Sequence, residues 1–246
     1  MKKNSESTTV SAECRAIIER LQNRTTGQPI TKKDLHEYEQ IVRDQIERDG
    51  VEVIPKRFQH CRLANLEEYP EKKAKALAAV VGEGLSLFIT GDKGRGKTHL
   101  ACALAVEWMK QRTKAVEEHA ILGGLTTVAP NLSFLPAVEF FVELKATFDS
   151  RDLTEQDVIR KYCSQQLLIL DDLGVEKVSD WSKQMIYALI DRRYRNMQQM
   201  IITSNLSLRQ LAAQIDDRIT SRIMEMGPVI GLTGADHRRK IADDMA

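Results

Sequence analysis

Two kinds of apolar spacing alternate along this chain. Short apolar runs occur at Leu85–Thr90 (LSLFIT), Leu132–Leu135, Leu167–Leu170, Met200–Thr203 and Pro228–Leu232. Between them lie longer segments in which apolar residues return every three or four positions. The short runs predict strands, and the unbroken Leu167–Leu170 predicts one buried on both faces. The longer segments predict helices over Thr98–Lys110, Ala137–Phe148 and Trp181–Met197. On the second of these, Ala137, Phe141, Leu144 and Phe148 share one face. Two more helices are announced by their caps, Thr154 with Asp157 and Ser207 with Gln210. Strand–helix alternation of this kind predicts an α/β fold, a parallel sheet with helices on both faces.

The first fifty residues read differently. Ile17, Ile18 and Leu21 share a helical face, a loop follows at Thr25–Pro29, and Thr31 with Asp34 forms a capping box. Leu35, Tyr38, Ile41, Val42 and Ile46 then recur at helical spacing up to Gly50, a natural stop. Two short helices bury little alone. Residues 1–50 are therefore expected to dock on the main domain, on another copy or on a partner. Residues 51–82 are a connector, from Ile54-Pro55 through Asn65–Pro70 into a lysine-rich helix at Glu71–Val81. Residues 83–246 form the main domain. The segment from Thr113 to Asn131, with Gly123-Gly124, fits neither pattern.

Composition narrows the function. Hydrophobic residues are 42% of the 246 and charged residues 29%, which suits a packed core. The formal net charge is only +1, so any nucleic-acid site has to be a local patch. The N-terminal lysines are followed by no apolar stretch, and no apolar run is long enough to span a bilayer. A cytoplasmic protein without a membrane partner is expected. The four cysteines, Cys14, Cys61, Cys102 and Cys163, form no CxxC pair, and no Cys/His cluster has zinc-ligand spacing along the chain. They read as reduced thiols, and the five histidines as structural or surface residues.

Four segments carry chemistry. Gly91-Asp92-Lys93-Gly94-Arg95-Gly96-Lys97-Thr98, followed by His99, fits G-x-x-x-x-G-K-[ST] between a strand and a helix. Glycines let the backbone curl until successive amides face phosphate oxygens, and the next helix points its positive end at the same place. Lys97 would reach the β- and γ-phosphates of ATP, and the Thr98 hydroxyl would hold Mg²⁺. The Leu167–Leu170 strand delivers Asp171 and Asp172 at its end. Asp171 would bind Mg²⁺, and Asp172 would orient and deprotonate the attacking water. Asn205, at the tip of Met200–Thr203, could hold that water or the γ-phosphate. In Asp216–Ile223, Arg218 and Arg222 lie one helical turn apart, as an arginine finger for a neighbouring subunit or as a solvated charged face.

Taken together, GDKGRGKTHLA, LLILDDLG, IDRRYRNMQQMIITSNL and LRQLAAQIDDRITSRI resemble the DnaC/DnaI-type helicase loaders and the related IstB transposition helpers, both AAA+ ATPases. The similarity runs from about Pro55 to about Lys240. It implies a P-loop AAA+ fold, a five-stranded parallel sheet without a full C-terminal lid, and work as an oligomer with ATP at subunit boundaries. It makes Gly91, Gly96, Lys97 and Thr98 the phosphate and Mg²⁺ site, Asp171 and Asp172 the Walker B pair, and Asn205 the sensor 1 residue. Arg222 matches the arginine-finger position, with Arg218 beside it, and Arg238 or Arg239 is a candidate second sensor. The family's DNA-contacting helices map to Ala137–Asp157, where Lys145 and Arg151 are the available cations. Many AAA+ proteins carry Glu where this chain has Asp172, one methylene shorter, which implies slow, switch-like hydrolysis.

The resemblance therefore implies an ATP-dependent loader that grips a DnaB-type replicative helicase and single-stranded DNA. An IstB-like helper would share the core but engage a transposase and duplex DNA. A small-molecule P-loop kinase would need an acceptor lid and no trans arginine, and the DDRITSR segment argues against it.

Overall fold

The computed structural model describes residues 31–66, 69–117, 125–174 and 179–234. The helical face predicted at Ile17, Ile18 and Leu21, and the candidate sensor residues Arg238 and Arg239, lie outside them. The described chain divides into two compact units.

The larger unit takes in residues 50–108 and 131 onward. Its centre is a sheet of β1 (Leu87–Thr90), β4 (Leu132–Pro136), β5 (Leu167–Asp171), β6 (Gln199–Ser204) and β7 (Val229–Gly231). The strands run in the order β4-β5-β6-β1-β7, and every pairing is parallel. Period-two alternation divides their side chains between two faces. On one face Phe88, Leu135, Leu168, Leu170, Met200 and Ile202 join a core closed by five helices. These are α4 (Ala137–Ala146), α5 (Glu155–Cys163), α6 (Asp180–Arg195), α7 (Leu208–Gln214) and α8 (Asp217–Met226). The opposite face buries Leu87, Ile89, Leu167, Ile169 and Ile201. Helix α3 (Lys97–Arg112) lies on that side, where its Trp108 indole N–H donates to Gln199 Oε1 at 3.0 Å. Gln199 in turn donates to the carbonyls of Val81 and Leu85, which ties the end of α2 (Glu71–Gly82) to the entry of β1.

The caps fall where the pattern puts them. Thr154 accepts from the Asp157 amide, and Ser207 accepts from the Gln210 amide at the start of α7 (Leu208–Gln214). One prediction needs correcting. The helix from Ala137 stops at Ala146, because the Thr147 hydroxyl and amide both turn back onto the Leu144 carbonyl. Phe148 is left beyond it at 62% exposure, off the buried face of Phe140, Phe141 and Leu144.

The smaller unit comprises the described parts of residues 1–49 and 109–130. Its helix α1 (Lys32–Asp49) starts at the predicted Thr31–Asp34 box. The segment that fitted neither pattern contains an antiparallel pair, β2 (Lys114–Glu117) with β3 (Leu125–Val128). Arg43 donates to the Lys110 carbonyl at 3.1 Å, and Lys110 pairs with Glu47 at 2.8 Å. Among the described residues no helix is long and apolar enough to cross a membrane.

Candidate functional site

In a parallel α/β sheet, ligands bind outside the carboxyl ends of the strands, where the strand order reverses. Here β1 is flanked by β6 and β7, and the chain leaves it through the glycine loop. Gly94 (φ 78°) and Gly96 (φ 77°) take the left-handed backbone that the curl requires. A Cβ on Gly96 would meet nothing within 4 Å, so the loop opens onto free space. Lys97 is only 5% exposed, and its ammonium donates to the Asp92 carbonyl at 2.9 Å. Asp92 and Lys93 themselves are exposed, and Asp92 faces Arg95 at 3.6 Å. Arg95 Nη1 is buried and has no hydrogen-bond partner, an uncompensated donor within the phosphate loop.

The acids come from the tip of β5. Asp171 Oδ1 accepts from the Thr98 hydroxyl at 2.9 Å and from the Thr203 hydroxyl at 2.6 Å. Burial raises the Asp171 carboxyl above its ordinary range. The bonds from Thr203 and Thr98 and the charge of Lys97 oppose the rise, while the charge of Asp172 adds to it. Asp172 has φ 55°, a left-handed conformation that Asp tolerates better than most residues. Its amide donates to Thr203 Oγ1 at 2.9 Å. Asn205 closes the set. Its Oδ1 accepts from Lys97 Nζ at 2.6 Å, and its Nδ2 lies 3.3 Å from Asp172 Oδ1.

Lys97, Thr98, Asp171, Asp172 and Asn205 thus fall in one hydrogen-bonded cluster, which Thr203, not singled out from the sequence, links together. A hydroxyl, a carboxylate and an open cradle with one unsatisfied guanidinium nitrogen, Arg95 Nη1, suit a phosphate chain and a hard cation such as Mg²⁺. His99 turns elsewhere, with its Nε2 2.9 Å from Asn65 Oδ1 in the connector.

Against this geometry, the sequence profile of the IstB-like ATP binding protein family matches residues 55–240. The chain belongs to that family. The IstB-like core is accordingly an ATP-binding AAA+ domain. It is 27% identical over 164 residues to the replicative helicase loader DnaC of Buchnera aphidicola subsp. Schizaphis graminum, covering 66% of this chain and 59% of that one. To DnaC of Escherichia coli K12 it is 24% identical over 183 residues, covering 72% and 66%. The crystal structure of the DnaC helicase loader superposes with TM-score 0.57 at 25% identity, covering 73% of this chain and all of that one. The DnaA initiator bound to AMPPCP and single-stranded DNA shares the fold, with TM-score 0.56 at 21% identity over 79% of this chain and 56% of that one. The IstB-like chain spans between two fifths and about three quarters of the length of the curated relatives it matches.

The remaining predicted residues lie on other surfaces. Asp216 caps α8 by accepting from the Arg218 amide and also pairs at 2.7 Å with the Arg218 guanidinium, which lies 4.8 Å from the Tyr187 ring centroid on α6. Arg222 stacks on the same ring at 4.9 Å and approaches Asp191 to 2.7 Å, an ion contact rather than an aligned hydrogen bond. Among the described residues neither arginine bonds to the phosphate-site residues. Lys145 and Arg151 are both exposed, and between them stands Phe148, edge-on to Trp181 at 5.5 Å. An exposed aromatic with an exposed cation three residues to either side in sequence was not foreseen.

Proposed function

We propose that this chain is an ATP-dependent loader that places a DnaB-type replicative helicase on single-stranded DNA. The observation that carries the reading is the bond chain from Lys97 through Asn205 to Asp172, in a domain that covers the whole of a DnaC helicase-loader structure. With ATP bound, Lys97 meets the β- and γ-phosphates, and Thr98 and Asp171 hold Mg²⁺. An Mg²⁺ ion held by Thr98 and Asp171 would supply positive charge against the phosphate oxygens. Asp172 orients the attacking water and takes its proton, while Asn205 holds the γ-phosphate end. The short Asp172 side chain keeps hydrolysis slow, so nucleotide state acts as a switch between assemblies. Arg222, with Arg218 beside it, serves the ATP of a neighbouring copy. Residues 1–50 supply the grip on the helicase.

An IstB-like transposition helper has the same core and shares the family description. Phe148 between Lys145 and Arg151 favours the loader. Unpaired bases can stack on an exposed aromatic whose flanking cations meet phosphates, whereas the bases of a duplex already stack on one another. The deciding experiment is a pull-down of the source organism's replicative helicase with ATP, comparing the full chain with one starting at Val51. Helicase held by the full chain alone supports the loader. Retention of duplex DNA with no helicase overturns it in favour of the transposition helper. Phe148→Ala should weaken single-strand binding by roughly 1–3 kcal/mol.

A further inference from the structure

We propose that His60, Cys61 and His99 form a binding site for a zinc-class transition-metal ion, distinct from the Mg²⁺ site of the phosphate loop. His60 and Cys61 are neighbours in sequence and His99 lies far along the chain, but the fold brings one donor atom from each to within 4.8 Å of the others. One thiol and two imidazoles are a set that Zn²⁺ takes and Mg²⁺ does not. Tetrahedral coordination at ordinary Zn–S and Zn–N lengths needs donors about 3.5 Å apart, so the set has to close by about an ångström. Exposed His60 is the side chain free to make that move, since Cys61 is fully buried on the backbone beside it.

A second observation points the same way. Metal-bound histidines are commonly held by a hydrogen bond from the other ring nitrogen. The His99 ring stands edge-on to His60 at 5.8 Å, with its Nε2 2.9 Å from Asn65 Oδ1. The Asn65 amide orientation is fixed, because Oδ1 accepts from the Arg62 amide and Nδ2 donates to the His60 carbonyl, both at 2.8 Å. The oxygen can only accept, so His99 carries its proton on Nε2 and its lone pair on Nδ1. Asn65 thus braces the His99 ring and the His60 backbone. Uptake of the ion replaces the Cys61 thiol proton, which leaves to solvent, with a metal–sulfur bond. Three protein ligands leave a fourth position to water on the exposed His60 side.

The test uses the full chain, stripped of metal and free of nucleotide, titrated with Co²⁺ as a spectroscopic stand-in for Zn²⁺. One equivalent should give thiolate-to-cobalt charge-transfer absorption with tetrahedral visible bands, and Zn²⁺ should bleach both. Cys61→Ser should remove the charge-transfer absorption. Asn65→Ala should weaken binding roughly tenfold, and His60→Gln by more. His60 is exposed, so H60Q keeps the proposal testable even if C61S does not fold. Absence of the absorption in the unmodified chain, its survival in C61S, or undiminished affinity in H60Q would each overturn the site. Because no nucleotide is present, failure here leaves the loader reading untouched.

Discussion

Thr203 touches both acids at the β5 tip, donating to Asp171 Oδ1 and accepting from the Asp172 amide. Thr203→Val keeps the shape and removes both bonds, so it should slow single-turnover ATP hydrolysis by about 10–100-fold. Unchanged turnover in a folded variant would deny Thr203 that role. Asp171 makes a pH prediction. Its ionised form is the one that attracts a cation, and burial, reinforced by Asp172, raises its carboxyl against the pull of Thr203, Thr98 and Lys97. Mg²⁺-dependent nucleotide affinity should therefore fall on acidification, starting above the usual carboxylate value of about 4. Mg²⁺-free affinity should not follow the same curve. The sequence showed Lys97, Thr98, Asp171, Asp172 and Asn205 because each belongs to a short motif with local order. Thr203 was hidden because a threonine in a strand is an ordinary β-former, and only strand pairing sets it beside β5.

Helix α6 shows what periodicity leaves unread. The run Asp191-Arg192-Arg193-Tyr194-Arg195 looks like a cationic helix end facing solvent. Arg193 is instead fully buried, donating to the carbonyls of Tyr162, Gln165 and Gln199, while burial lowers its guanidinium to about 10. Arg193→Met should leave those acceptors stranded and cost roughly 3 kcal/mol. Chemical denaturation would measure it, and a loss below about 1 kcal/mol would refute the account. The opposite face of α6 offers Tyr187, Asp191 and Tyr194 to Arg222. Burial works to raise the Asp191 carboxyl, but bonds from Arg195 and the charge of Arg222 prevail and lower it. A run of clustered arginines cannot tell which one turns inward, because that is decided by carbonyls on α5, β6 and the loop between α5 and β5.

At the scale of the whole molecule, the five strands of the large sheet were legible because each is a short apolar run between segments of helical spacing. The pairing of β2 with β3 was not, because its residues lack a clean alternation. The position of Arg222 bears on assembly. A finger that acts in trans predicts that ATPase rate per subunit rises with protein concentration. Arg222→Ala should abolish that rise and lower the assembled rate on the order of a thousandfold. A rate per subunit independent of concentration would remove the trans role.

The proposed phosphate site draws Lys97 from the start of α3 just after β1, Asn205 from the end of β6 and Asp171 from β5, three strands that lie side by side. Nucleotide bound there fastens together parts of the chain that are neighbours only when folded. At a hundredfold excess over its dissociation constant, such a ligand adds about 2.7 kcal/mol to the free energy of unfolding. The melting temperature then becomes a gauge of nucleotide supply that needs no turnover to read. When ATP runs short, the same chain opens more often and becomes the better substrate for proteolysis.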